Sequence, residues 1–257
     1  MKHPGCVAAL VLVFCQFALA VQAGGKRAIE IRGRAQEVYY YPAASKPPRG
    51  KILFAPGDGG WRGFAVEIAQ EASSWGYDVY GFDTKHYLES FTGKTMLSEA
   101  DVMKDMRSVA SAIRSDAGER VIFIGWSEGA GLGVLAAAAA ENKTTFQGLI
   151  AIGLGDSNVL GWRWADNITY VTKQLPNEPA FSARKHLPNI SPLPLFMIHS
   201  SKDEYTPARD ARKLFEAARQ PKRLSVIEAQ NHRFAGNRDD FFRVLREAVE
   251  WARIAPR

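Results

Sequence analysis

Thiols are nearly absent from this chain. Its two cysteines, Cys6 and Cys15, both fall in the opening "MKHPGCVAALVLVFCQFALAVQAGG". A basic start, an apolar centre and small residues at the end read as a secretory signal, cleaved after Ala20 or Ala23. The mature chain then has no thiol for a disulfide, a nucleophile or a metal. Cys15 as a lipid anchor is disfavoured, because Phe14 is bulky where such a site wants a small residue. Long apolar runs are also missing. Cys6–Ala20 is shorter than the roughly 20 residues a membrane span requires, and no later stretch approaches that length. Histidine is scarce, at five residues, and none clusters with metal-ligand spacing, so no metal is expected. No repeat or low-complexity linker is present.

The signal, 1–23, carries Lys2 and no acid, so the formal charge of +6 falls to +5 once it leaves. Those charges are scattered. They imply no nucleic-acid partner and at most a peripheral contact with a membrane. Residues 24–257 are enough for one core, and α/β folds of this length are commonly single domains.

What the mature chain does have is alternation of strand and helix. "KILFAP", "YDVYGFD", "RVIFIGWS", "FQGLIAIGLG", "LPLFMIHS" and "KRLSVIEA" are apolar runs of strand length. Between and after them lie helical patterns over 64–75, 98–115, 129–141, 208–219 and 238–252. Ser98 with Asp101 forms a capping-box variant at the second of these helices. Strands so continuously apolar are buried on both faces, which predicts a mostly parallel sheet flanked by helices. "RAIEIRGRAQEVYYYP" alternates around a glycine and reads as an antiparallel edge hairpin. One connection is too long: 156–191, where two to six residues are usual. Its Trp162, Trp164, Tyr170 and Phe181 suggest either an irregular loop packed by its own aromatics or a short lid over a pocket.

The chemistry centres on "IGWSEGAG". Gly125-Trp126-Ser127-Glu128-Gly129 is G-x-S-x-G after a buried strand and before a helix, the setting of a nucleophile elbow. A serine needs a base with an acid behind it. Of the four mature histidines, His199 lies in an apolar strand, His186 in the insertion and His86 beyond an earlier strand. His232, in "EAQNHRFAG", follows the last strand, where its loop returns over the serine. Asp203, in "HSSKDEYTP", is the acid that completes the order Ser127, Asp203, His232; Asp156 is its rival. Glu128 faces away from where His232 must arrive.

"FAPGDGGWRG" (54–63) lacks the lysine of a triphosphate loop and the last glycine of a dinucleotide loop, because Arg62 stands there, so no cofactor is implied. Its role is to offer an oxyanion N–H from Asp58 or Gly59, with that of Glu128 as the second donor. An acid at position 58 would oppose a developing oxyanion unless it turns outward or binds a cationic group. Gly57, Trp61, Tyr87, Trp126 and Trp162 are the further candidates for contact with substrate.

With these motifs the chain resembles the α/β-hydrolase fold and, within it, the VirJ/AcvB virulence-protein family. The resemblance rests on "GDGGW" (57–61), "GFDTKHYLESF" (81–91) with its Asp83 and Tyr87, "GWSEGAG" and "NHRFAG" (231–236), and spans Lys51 to Trp251. Trp126 and Glu128 depart from the commoner G-Y-S-F-G elbow. The resemblance implies a periplasmic or secreted serine esterase, and an ester of a membrane lipid such as lysyl-phosphatidylglycerol as one substrate. It also suggests an alternative, a binding or assembly protein of a secretion system that uses a hydrolase-fold pocket, but an intact Ser, Asp, His set in the right order favours catalysis.

Overall fold

The computed structural model describes residues 24–93, 95–162 and 178–255. The expected signal, 1–23, and the middle of the insertion, with Trp164 and Tyr170, lie outside them. Eight strands form one sheet: β1 (Gly25–Ile31), β2 (Arg34–Tyr41), β3 (Lys51–Ala55), β4 (Asp78–Phe82), β5 (Val121–Trp126), β6 (Phe146–Ile152), β9 (Leu195–Ser200) and β10 (Lys222–Ile227), in the order β1-β2-β4-β3-β5-β6-β9-β10. From β4 to β10 every neighbour is parallel, while β1 and β2 form the antiparallel edge hairpin. β3, β5 and β9 are buried at every residue, so their apolar runs are the centre of the sheet. The expected parallel sheet flanked by helices is present.

Helices cover both faces because each element offers one apolar stripe. α1 (Phe64–Ser74) and the last helix, α6 (Arg238–Ile254), pack one face through Phe64, Ile68, Phe241 and Leu245. α2 (Thr84–Ser90), α3 (Glu99–Ile113), α4 (Glu128–Ala138) and α5 (Ala208–Ala217) pack the other through Leu88, Met106, Leu135 and Leu214. Ser98 and Asp101 do form the capping box of α3. α2 was not expected: its seven residues are too few to show a helical period. At the base of the insertion, β7 (Ser157–Val159) and β8 (Ala180–Ser182) pair as a separate ribbon.

One feature of the topology positions the site. The chain leaves β3 toward β4 on one side and returns to β5 on the other, so the order reverses between β3 and β5. Loops at the carboxyl ends of two such strands diverge and leave a crevice, the usual ligand position in open α/β sheets. The loop 56–63 and the turn at Ser127 both lie there.

Candidate functional site

Ser127 sits between β5 and α4 with φ 55° and ψ −121°. A non-glycine residue in this region is strained and persists only where its surroundings hold it. Here they do. The Ser127 N–H donates to the Ile152 carbonyl at 2.9 Å, and the Ser127 carbonyl accepts from Ala130 at 2.8 Å. A Cβ on Gly125 would come 2.3 Å from the Gly129 carbonyl oxygen, and one on Gly129 would come 2.0 Å from that of Ala55. Both glycines of the motif are therefore steric requirements of the turn.

His232 and Asp203 come together at the ends of β10 and β9. Asp203 Oδ2 accepts from His232 Nδ1 at 2.6 Å, and Oδ1 accepts the backbone N–H groups of Tyr205 and Thr206 at 3.0 Å each. The pair is buried, at 7% and 5% exposure. Burial opposes ionisation of Asp203, but the His232 bond and charge and the Thr206 N–H outweigh it and hold the carboxyl below its ordinary value. The ring of His232 stacks on Trp126, is met edge-on by Tyr205, and its backbone N–H donates to Glu204 at 2.7 Å. It lies against Gly153: a Cβ there would fall 2.4 Å from Cε1. Gly153 follows Ile152, whose carbonyl holds Ser127. His232 Nε2 is buried and, among the described residues, has no hydrogen-bond partner.

Asp156, the rival acid, is turned elsewhere. Its Oδ1 accepts from Ser182 at 2.6 Å and from the Arg184 N–H at 3.0 Å, closing the base of the insertion. His199 is buried as expected of a core residue, yet it also stands beside the acid. Its Nε2 donates to the Thr206 carbonyl at 2.7 Å and lies 3.7 Å from Asp203 Oδ2, and burial lowers its pKa. His186 pairs with Glu99, and His86 is exposed, its Nε2 3.3 Å from the Ala35 carbonyl.

The loop after β3 passes directly beside the serine. A Cβ on Gly57 would lie 3.0 Å from Ser127 Cβ and 3.1 Å from Glu128 Oε2. The Asp58 N–H, one of the expected oxyanion donors, donates to Glu128 Oε2 at 3.0 Å. Asp58 itself is pushed up to about 7 by burial and by the charge of Glu128, against the pull of His232, Arg233 and the Gly59 N–H.

Of the aromatic candidates for substrate contact, Tyr87 and Trp126 are buried and Trp61 and Trp162 partly so. Tyr87 is wholly buried, and its hydroxyl donates to Asp105 at 2.7 Å beneath Arg32, so it cannot touch a substrate. Trp61 stacks on Tyr39 with centroids 4.9 Å apart and donates to the Tyr41 hydroxyl, covering Gly81 at the β2–β4 edge. Trp126 is 7% exposed and forms the floor under His232. Trp162 lies under the Lys85 ammonium, 4.3 Å from its ring, with its backbone N–H bound to Thr92. Sequence reasoning missed Glu204, Tyr205 and Gly153, which hold His232; only the clustering of 203–205 ahead of His232 hinted at them.

This architecture is that of known hydrolases. An esterase domain from Rhodothermus marinus superposes with a TM-score of 0.62 at 19% identity, covering 89% of this chain and 98% of that one. A soluble variant of monoglyceride lipase from Saccharomyces cerevisiae superposes with 0.65 at 14% identity, covering 92% and 97%. The chain has the α/β-hydrolase fold. Residues 51–157 match the family model described as bacterial virulence protein (VirJ), a span that takes in the loop 56–63 and the serine turn. The uncharacterized protein YfhR of Escherichia coli O157:H7 is 24% identical over 224 residues, 82% of this chain and 74% of its own. Among the described residues, no helix is long and apolar enough to cross a membrane.

Proposed function

We propose that this protein is an exported serine esterase in which Ser127, His232 and Asp203 act as nucleophile, base and acid. The observation that carries the reading is the buried 2.6 Å Asp203–His232 pair, whose second ring nitrogen has no partner among the described residues and whose ring stacks on Trp126, the residue before a serine held at positive φ. Asp203 fixes the Nδ1–H tautomer, which leaves Nε2 free to accept the Ser127 proton as Oγ attacks the ester carbonyl. The tetrahedral oxyanion takes hydrogen bonds from the N–H groups of Asp58 and Glu128. His232 then gives the proton to the leaving alcohol, and water hydrolyses the acyl-serine by the reverse sequence.

The substrate class follows from charge. In an otherwise basic chain Glu128 holds the Asp58 N–H beside Ser127 and Glu204 holds the His232 N–H, and this group of acids suits an ester whose acyl part carries an ammonium group. Together with the match to the VirJ model, this supports an aminoacylated phospholipid such as lysyl-phosphatidylglycerol. The alternative, a periplasmic partner of a secretion system, draws on one observation: an oxyanion donor occupied by a carboxylate. Purified protein assayed on p-nitrophenyl esters of increasing chain length and on lysyl esters of equal size tests both. The esterase reading predicts turnover with preference for lysyl esters, and turnover of no ester would favour the binding protein.

A further inference from the structure

We propose that Glu128 is a specificity-determining stopper: its carboxylate occupies the oxyanion donor of the resting protein, and an ester is cleaved quickly only if it displaces that carboxylate. The inference rests on Ser127 being the nucleophile. Its geometric basis is the 3.0 Å bond from the Asp58 N–H to Glu128 Oε2. That oxygen also lies close to the reacting centre. The point a Cβ on Gly57 would fill is 3.1 Å from Glu128 Oε2 and 3.6 Å from Ser127 Oγ.

The placement has a physical cause. Glu128 opens α4, an 11-residue helix, where the first N–H groups have no partner within the helix and the backbone dipoles favour negative charge. The field that would stabilise a tetrahedral oxygen thus stabilises a carboxylate, and Glu128 is a resident imitation of the charge the reaction creates. Its negative charge is also felt by Asp58, whose carboxyl is pushed up to about 7 by burial and by Glu128. A small neutral ester must take the Asp58 N–H from a charged acceptor and then develop its own negative oxygen beside that acceptor. An ester that brings a cation or a strong donor gives Glu128 another partner and frees the N–H.

A lost oxyanion donor costs about 10²–10³ in kcat, so lifting even part of the obstruction is measurable. The experiment compares parent, Glu128→Ala and Glu128→Gln in p-nitrophenyl acetate hydrolysis and in the rate of labelling by a fluorophosphonate, with melting curves for each. Glu128→Ala should raise kcat/KM and the labelling rate by about ten-fold or more, the scale of a hydrogen bond to a charged group. Glu128→Gln should gain less, because its amide oxygen still accepts from Asp58. A parent labelled at Ser127 with both variants no faster, although folded, overturns the stopper and leaves the nucleophile standing. No labelling in any of the three overturns the nucleophile, and the stopper with it.

Discussion

Asp203 accepts three hydrogen bonds from its own loop and from His232, and none of its carboxylate is left over for solvent. Exchanging one oxygen for an amide should let His232 take the wrong tautomer while the loop keeps its shape. Asp203→Asn is therefore expected to lower kcat by about 10³–10⁴, as loss of the orienting acid does in serine hydrolases. Asp156→Asn, whose partners are Ser182 and Arg184, should change kcat by less than about three-fold, an ordinary effect for a polar change away from the reacting groups. A larger loss in Asp156→Asn than in Asp203→Asn would reassign the acid. The serine turn was legible in the sequence because only glycine fits at 125 and 129, and that demand is local. The bond between Asp58 and Glu128 was not, because 70 residues separate them and nothing in either motif encodes the meeting.

Single elements owe their positions to contacts that periodicity does not show. The turn of the β1–β2 hairpin places Arg32 across the sheet edge onto α3, where Nη2 lies 2.8 Å from Asp105 Oδ2, and α2 adds the Tyr87 hydroxyl to the same carboxylate. Burial, followed by the charge of Asp105, raises the Tyr87 pKa and keeps the phenol protonated as a donor. Arg32→Ala removes the cation and leaves a buried carboxylate with one neutral donor. It should cost about 2–3 kcal/mol, the range for a hydrogen bond to a buried charged group, and lower the melting midpoint without changing kcat. An unchanged midpoint would mean the hairpin is held by β2–β4 pairing alone. The hairpin itself was readable from its alternation, and α3 from its capping box. α2 was not, and so a tyrosine that belongs to this polar cluster looked like a candidate substrate contact.

At the scale of the whole molecule, two acids give the fold opposing responses to pH. Asp203 lies below its ordinary pKa, so its contribution is present above the usual carboxylate range and is lost as pH falls through its lowered value. Asp58, pushed up to about 7, works the other way: its contribution is full below the unfolded value near 4 and is lost as pH rises through about 7. The melting midpoint of Asp58→Asn should therefore gain on the parent as pH rises from about 4 to about 7, the interval in which only the folded parent retains that proton, and level off above it. Parallel curves would show that Asp58 is not raised. The sheet was legible because its central strands are nearly continuous apolar runs. The burial of Trp126 was not, because a tryptophan at the end of a strand reads alike whether it meets a ligand or the core. The proposed chemistry turns on one hydroxyl. Ser127→Ala leaves the glycines that shape the turn in place, so it should melt within a few degrees of the parent, about what a change of 1 kcal/mol produces in a domain of this size. It should also lose fluorophosphonate labelling, ester cleavage and the protein's role in the cell together. A folded Ser127→Ala protein that still cleaves esters, or that keeps its cellular role without cleaving any, would contradict the serine esterase.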